Sequence, residues 1–282
     1  MTAAIKQNTP EWLEMRKNKI GASDAPILME VSPWKTPYQL WEEKLGLSKQ
    51  KDQNFAMRRG HTLEPKALQA YNDYTGNFCA PEVVFHQERK YMMSSLDGLS
   101  LDQSMVVEIK CPGKKDHDIA ANGDIPEKYY PQLQHQLATI GLNVLHYFSY
   151  SENGYHLIEV PRDEKYIENL YKIEEAFWNN LKTFESPALT DRDYKEKKDP
   201  LWNKYSKNWS SINSQLKELK VQEKEQRDLL INLSQDRNCF GGGIRLQKIL
   251  RKGSVNYKSV PELEGIDLEQ YRKPPITSWR FS

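Results

Sequence analysis

The run Val106-Val107-Glu108-Ile109-Lys110, preceded by Ser95-Leu96-Asp97-Gly98, constrains this chain more than any other segment. Side chains two apart on a strand share a face, so Glu108 and Lys110 point together while Val107 and Ile109 enter the core. A turn at Asp102-Gln103-Ser104 returns Asp97 beside them. Two carboxylates converging with one lysine make a site for a hard divalent cation, because Mg²⁺ takes oxygen ligands and keeps several waters. The Ile109 carbonyl can add a ligand. The lysine's point charge can orient a hydroxide or neutralise a developing phosphorane oxygen, which is the chemistry of phosphodiester hydrolysis. Taken alone, the same pattern also describes a surface salt bridge on an edge strand.

The rest of the composition narrows the class. A chain of 282 residues predicts one large domain, or one domain with an appendage. With 40 Lys+Arg against 39 Asp+Glu there is no global basic field, so any nucleic-acid surface is local. Cys79, Cys111 and Cys239 lie too far apart for a disulfide framework, a CxxC zinc knuckle or a four-thiolate cluster, which fits a reducing, cytoplasmic compartment. The histidines show no HExxH spacing, and neither a G-x-S-x-G elbow nor a P-loop is present. No apolar run approaches the ~20 residues of a membrane helix, and the first residues lack a signal peptide's apolar stretch, so a soluble protein without a membrane partner is expected.

Helix signals open the chain: Thr9-Pro10, Ser23-Asp24-Ala25-Pro26 and Thr36-Pro37, then a long amphipathic run from Asn54 to Tyr74 closed by Gly76. Short β-prone runs follow at Val83–Phe85, Lys90–Met93, Leu99–Leu101 and Met105–Ile109, reading as an antiparallel meander. A helix starting near Tyr129 carries Leu133, Leu137 and Ile140, with Pro131 tolerated in its first turn. Strands at Val144–Tyr150 and His156–Val160 flank the hairpin signal Asn153-Gly154, and Asp163 opens a further helix. The pattern predicts an α/β fold with a mixed central sheet of about five strands flanked by helices.

The ordered motifs resemble those of the phage lambda exonuclease family, the YqaJ-type viral recombinase nucleases of the PD-(D/E)XK superfamily, over roughly the first 185 residues. They are Trp12-x-x-x-Arg16 with Ile20-Gly21-Ala22-Ser23, Arg59-Gly60-x-x-x-Glu64, Asp97-Gly98, Glu108-Ile109-Lys110-Cys111-Pro112, and Tyr129-x-x-Gln132-Leu133-Gln134. The resemblance implies a restriction-endonuclease-like core in which Asp97, Glu108 and the Ile109 carbonyl hold Mg²⁺ or Mn²⁺. Lys110 would position the attacking water. Glu64 would complete the site, often through water, although it can also pair with Arg58 or Arg59. Gln132 would contact the metal-bound water or Lys110, whereas Gln136 reads as a helix-surface amide. Arg16 and Ser23 would receive a 5′-terminal phosphate; apart from the family they are a surface cation and an ordinary helix cap.

The activity so implied is 5′-to-3′ digestion of double-stranded DNA ends, leaving a 3′ strand for a single-strand annealing protein in phage recombination in the bacterial host's cytoplasm. Several family members form trimeric rings. A structure- or sequence-specific endonuclease and a catalytically idle DNA-end scaffold are the alternatives. The nuclease domain is expected over 1–190, a charged linker over 191–203, and an extension over 204–282. That extension combines a long polar helix, a hinge at Gly241–Gly243 and a tail carrying Lys248, Arg251, Lys252, Lys258, Arg272, Lys273 and Arg280 among Tyr257, Tyr271 and Trp279. DNA retention or partner docking are its two readings.

Overall fold

Helices begin where the sequence supplies a cap and a proline. Helix α1 (Pro10–Lys17) follows Thr9, whose hydroxyl accepts the Trp12 N–H at 3.3 Å. A two-residue strand β1 (Ile20–Gly21), a 3₁₀ turn (Ala22–Asp24) and the short helix α2 (Ala25–Leu28) come next. Helix α3 (Pro37–Lys44) is capped by the Thr36 hydroxyl, which accepts from Gln39. The long α4 (Phe55–Thr75) stops at Gly76, whose positive φ turns the chain out of the helix. The computed structural model describes residues 7, 9–48, 55–263, 265–266, 268–271 and 273. They fall in two units, Met1–Tyr194 and Lys195–Ser282.

The first unit is built on a six-stranded mixed sheet. Its remaining elements are β2 (Cys79–Phe85), β3 (Met92–Ser100), β4 (Val106–Lys110), α5 (Lys114–Ala121), α6 (Tyr130–Ile140), β5 (Val144–Ser151), β6 (Gly154–Pro161) and α7 (Glu164–Thr183). The runs Lys90–Met93 and Leu99–Leu101 are not separate strands: Met92 through Ser100 form one, with Asp97 inside it. Helix α5 had no periodic apolar signal to announce it, since only Ala120 of its residues is buried.

Strand β2 runs antiparallel along β3 from Cys79↔Ser100 to Phe85↔Met93. The other edge of β3 is shared by β1, parallel at Met92 and Met93, and β4, antiparallel at Gly98 and Leu99 only. Strand β4 then pairs parallel with β5, and β5 with β6 in an antiparallel hairpin. One face of the sheet packs on α6 through Leu96, Leu99, Val106, Leu133, Leu137 and Tyr147. The other packs on α4 through Ala67, Tyr71, Val107, Ile109 and Phe148. Both faces of β4 are therefore covered, and Glu108 is buried with Val106 on the α6 side.

Behind α6, His135 is fully buried and bonds Glu174 of α7 through Nδ1 and the Met93 carbonyl through Nε2. Asp191–Asp193, read as a solvated connector, instead forms a 3₁₀ turn fastened to the N-terminal helices. The Thr36 hydroxyl donates to Asp193, and Arg192 donates to the Ser32 carbonyl at 3.1 Å.

In the second unit, helix α8 (Pro200–Leu233) starts at the Asp199 cap, a turn earlier than its apolar stripe suggests, and none of its residues is buried. Strands β7 (Cys239–Gly241) and β8 (Ile244–Leu246) form a hairpin turned by Gly242 and Gly243, both at positive φ. The glycines are thus a tight turn, not a hinge. Arg272, Trp279 and Arg280 and the side chain of Lys258 lie outside the described residues.

Gly98 pairs with Val107, and a Cβ there would lie 2.7 Å from Val107 Cγ1 and 3.0 Å from Cys79 Cβ. Gly98→Ala must therefore push β3 from β4 and is expected to cost about 1–3 kcal/mol, read as a shift of the denaturant midpoint with an unchanged slope.

Candidate active site

The β3–β4 ladder ends one residue short of Asp97 and Glu108. Gly98 faces Val107, so Asp97 and Glu108 would be the next partners, but the strands diverge there. The Ile109 N–H, released from the ladder, donates instead to Asp97 Oδ2 at 2.8 Å. One backbone amide thereby fixes the Asp97 carboxylate beside β4, and the Ile109 backbone lies against that carboxylate.

Across the opening, α6 delivers two amides. Gln132 and Gln136 are one helical turn apart and face the sheet together. Gln132 donates to Glu108 Oε1 and accepts from Lys110 Nζ at 3.1 Å. Gln136 donates to Glu108 Oε2, and Lys110 itself donates to Oε1. The Glu108 side chain, 2% exposed, is thus held by three donors. Gln136 is fully buried and not a surface amide; its spacing of four from Gln132 was the available signal. Its own carbonyl oxygen has no partner among the described residues.

Burial alone would lower the Lys110 pKa, but Glu108 and Asp97 outweigh it and hold the ammonium above the ordinary lysine range. The ammonium lies 5.3 Å from the ring centroid of Tyr129. Burial pushes Asp97 well above the usual carboxylate range, reinforced by Glu108 and Glu64 and opposed by Lys110 and the Ile109 amide. Glu64, on α4, is raised by burial and by Glu108, while its neighbour His61 at 3.6 Å lowers it. Glu64 lies beside His61 and acts on Asp97 as a nearby charge. Burial, with Glu64 adding to it, pushes the Cys111 thiol up to about 11, so the thiol keeps its proton at neutral pH.

These donors fit a hard cation. Asp97, Glu108 and the Ile109 carbonyl are an oxygen-only set, and the burial and like charge that raise Asp97 and Glu64 are what a divalent cation would offset. Among the described residues no three His, Cys, Asp or Glu side chains gather as a metal site.

Arg16 and Ser23 meet at the N-terminal end of the same sheet. Arg16 Nη2 donates to Ser23 Oγ at 2.7 Å and lies 3.7 Å from Asp24. Ser23 does not cap a helix: it is exposed inside the 3₁₀ turn, whose cap position is Gly21. Asp24 is held below the usual carboxylate range because Lys44, 2.8 Å away, and Arg16 outweigh its burial. The Arg16 guanidinium also sits 4.8 Å from the Trp12 ring, and the Trp12 indole N–H donates to Ser95 on β3.

Residues 11–143 match the YqaJ-like viral recombinase domain. The YqaJ protein of Bacillus subtilis strain 168 is 28% identical over 186 residues, which span 64% of this chain and 58% of that protein. The alkaline exonuclease LHK-Exo of Laribacter hongkongensis has the same fold, with a TM-score of 0.55 at 28% identity over 62% of this chain and 94% of its own. A second LHK-Exo structure, in complex with dAMP, matches equally. The YqaJ-like segment contains Arg16, Ser23, Glu64, Asp97, Glu108, Lys110, Gln132 and Gln136.

A carboxyl group with a raised native pKa binds its proton more tightly folded than unfolded, so the charged form of Asp97 destabilises the metal-free protein and stability rises as pH falls through that pKa. Asp97→Asn, which keeps an acceptor for the Ile109 amide, is expected to raise the thermal midpoint in EDTA at neutral pH by about 2–4 °C. Adding Mg²⁺ raises the wild-type midpoint but not that of the variant, as differential scanning fluorimetry would record.

Proposed function

We propose that this protein is a metal-dependent 5′-to-3′ exonuclease of double-stranded DNA. It would hydrolyse phosphodiester bonds from 5′-phosphorylated ends and leave 3′ single-stranded tails for phage recombination by strand annealing. The observation that carries the reading is the bonded cluster of Asp97, Glu108, Lys110 and Gln132 at the splayed end of β3 and β4. LHK-Exo, similar to this chain over that segment, is an alkaline exonuclease that binds dAMP, a deoxynucleoside monophosphate.

Mg²⁺, or Mn²⁺ in its place, held by Asp97, Glu108 and the Ile109 carbonyl, would supply Lewis acidity at the scissile phosphate and an acidified water. The chain's own groups do the rest. Gln132 and Gln136 hold both oxygens of Glu108, so the carboxylate presents a fixed face to the opening. Lys110 is a cation poised between Glu108 and Gln132, placed to meet charge that develops on the phosphate. Arg16 and Ser23 offer a planar fork of donors and a hydroxyl to a terminal phosphate. An enzyme that anchors a 5′-phosphate near its reacting group cuts the same strand repeatedly inward. A single-strand annealing protein would use the tail, in the bacterial cytoplasm, and a trimeric ring would keep hold of the duplex.

The test is digestion of linear duplexes with 5′-phosphate or 5′-hydroxyl ends beside a covalently closed circle, with Mg²⁺ or EDTA. Loss of the 5′-phosphorylated strand in Mg²⁺ alone, with the circle spared, is the expected result. Lys110→Ala, folded by circular dichroism, should be slower by about 10²- to 10³-fold. Cutting of the circle would make the protein an endonuclease, and no hydrolysis in Mg²⁺ or Mn²⁺ would make it a DNA-end scaffold.

A further inference from the structure

The first unit shows one exposed tryptophan on a loop that is otherwise tied down. Trp12 and Trp41 are 6% and 8% exposed, whereas Trp34, between α2 and α3, is 61% exposed. The loop around it does not float. Ser32 and Thr36 are buried, the Ser32 carbonyl accepts from Arg192, and the Thr36 hydroxyl donates to Asp193. The Trp34 backbone N–H donates to the Ser32 hydroxyl. Holding so large an apolar ring in water on a fixed backbone does nothing for the core.

A line of cation–π contacts joins this indole to the site. The Lys128 ammonium, paired with Asp116 at 2.7 Å, lies 5.2 Å from the Trp34 ring and 5.3 Å from the Tyr129 ring. Lys110 lies 5.3 Å from Tyr129 in turn. Three short steps therefore connect the catalytic cation to the exposed ring, a span a few nucleotides cover at about 3.4 Å each. Lys128 takes one face of the indole, and its exposure leaves the remainder open to a second planar partner. Every nucleobase has such a face, and an aromatic ring backed by a cation is a sequence-tolerant stacking platform.

We propose that Trp34 is a nucleobase-stacking platform beside the active site, which holds an unpaired base of the DNA a few nucleotides from the scissile bond. The proposal rests on the nuclease reading. It adds a subsite that neither Asp97, Glu108 and Lys110 nor the Arg16–Ser23 pair supplies.

The test uses the full chain in the Lys110→Ala background with Mg²⁺, so that bound DNA persists. A 5′-phosphorylated duplex carries 2-aminopurine at one of the first three positions of the 5′ strand, or at the facing positions of the complementary strand. Binding is read by anisotropy and stacking by 2-aminopurine emission. Trp34→Ala is expected to weaken binding by about 5- to 150-fold and to restore emission at one labelled position, which names the strand. Trp34→Phe, which keeps a ring, recovers most of both. Equal affinity and emission across the three proteins, or no binding at all, overturns the platform. A wild-type protein that digests the same duplex then leaves the nuclease reading standing, whereas one that neither binds nor digests it removes both.

Discussion

The hydrogen bond from the Ile109 amide to Asp97 is the interaction on which the site depends. Inside a sheet that amide would face a carbonyl of the neighbouring strand, and the two carboxylates would sit on opposed backbones with no room between them. Because the ladder stops at Gly98–Val107, a side chain takes the carbonyl's place and the buried donor stays satisfied. Gly98 lets the strands approach closely just before they part, with Val107, Cys79 and Leu68 filling the space a side chain would need. The cleft is thus a controlled end to strand pairing.

Opening a sheet there gathers a buried cluster of like charges, and α6 is what makes it tolerable. Its first turn accepts Pro131 because the first amides of a helix have no internal partner, so the helix can begin close to the sheet. Gln132 and Gln136 then reach Glu108 from one face, while Lys110 balances part of the negative charge. Asp97 and Glu64 remain raised all the same. Glu108 is satisfied by its donors, while burial and like charge disfavour the ionised forms of the other two carboxylates, a condition that a bound cation would relieve.

Much of this was legible in the sequence because the signals were local. Thr9 and Thr36 before proline fix helix starts, Asn153-Gly154 fixes a hairpin, and Glu-x-Lys on a strand fixes a shared face. What escaped depended on contacts across the chain. Gln136 reads as a surface amide until β4 is known to lie against α6. Asp191–Asp193 reads as solvated charge until Ser32 and Thr36 are seen to receive it. Ser23 looks like a helix cap because its neighbours favour one, yet Gly21 takes that position and leaves the hydroxyl to Arg16. Trp34 carries no pattern at all, since a lone aromatic in a short loop is silent about exposure.

Strand β3 also keeps two groups of polar residues in register. Its first residues pair with β1, which leads directly into the turn bearing Ser23, and Ser95 receives the Trp12 indole, against which Arg16 lies. Asp97 follows two residues later on the same strand. The Arg16–Ser23 pair and the Asp97–Glu108 cluster, proposed above to take a terminal phosphate and to carry out hydrolysis, are therefore hung from one strand of nine residues. In the proposed exonuclease, the spacing between end and cut is then set by backbone geometry and not by a flexible loop, so each cut recreates the end that fits the pocket.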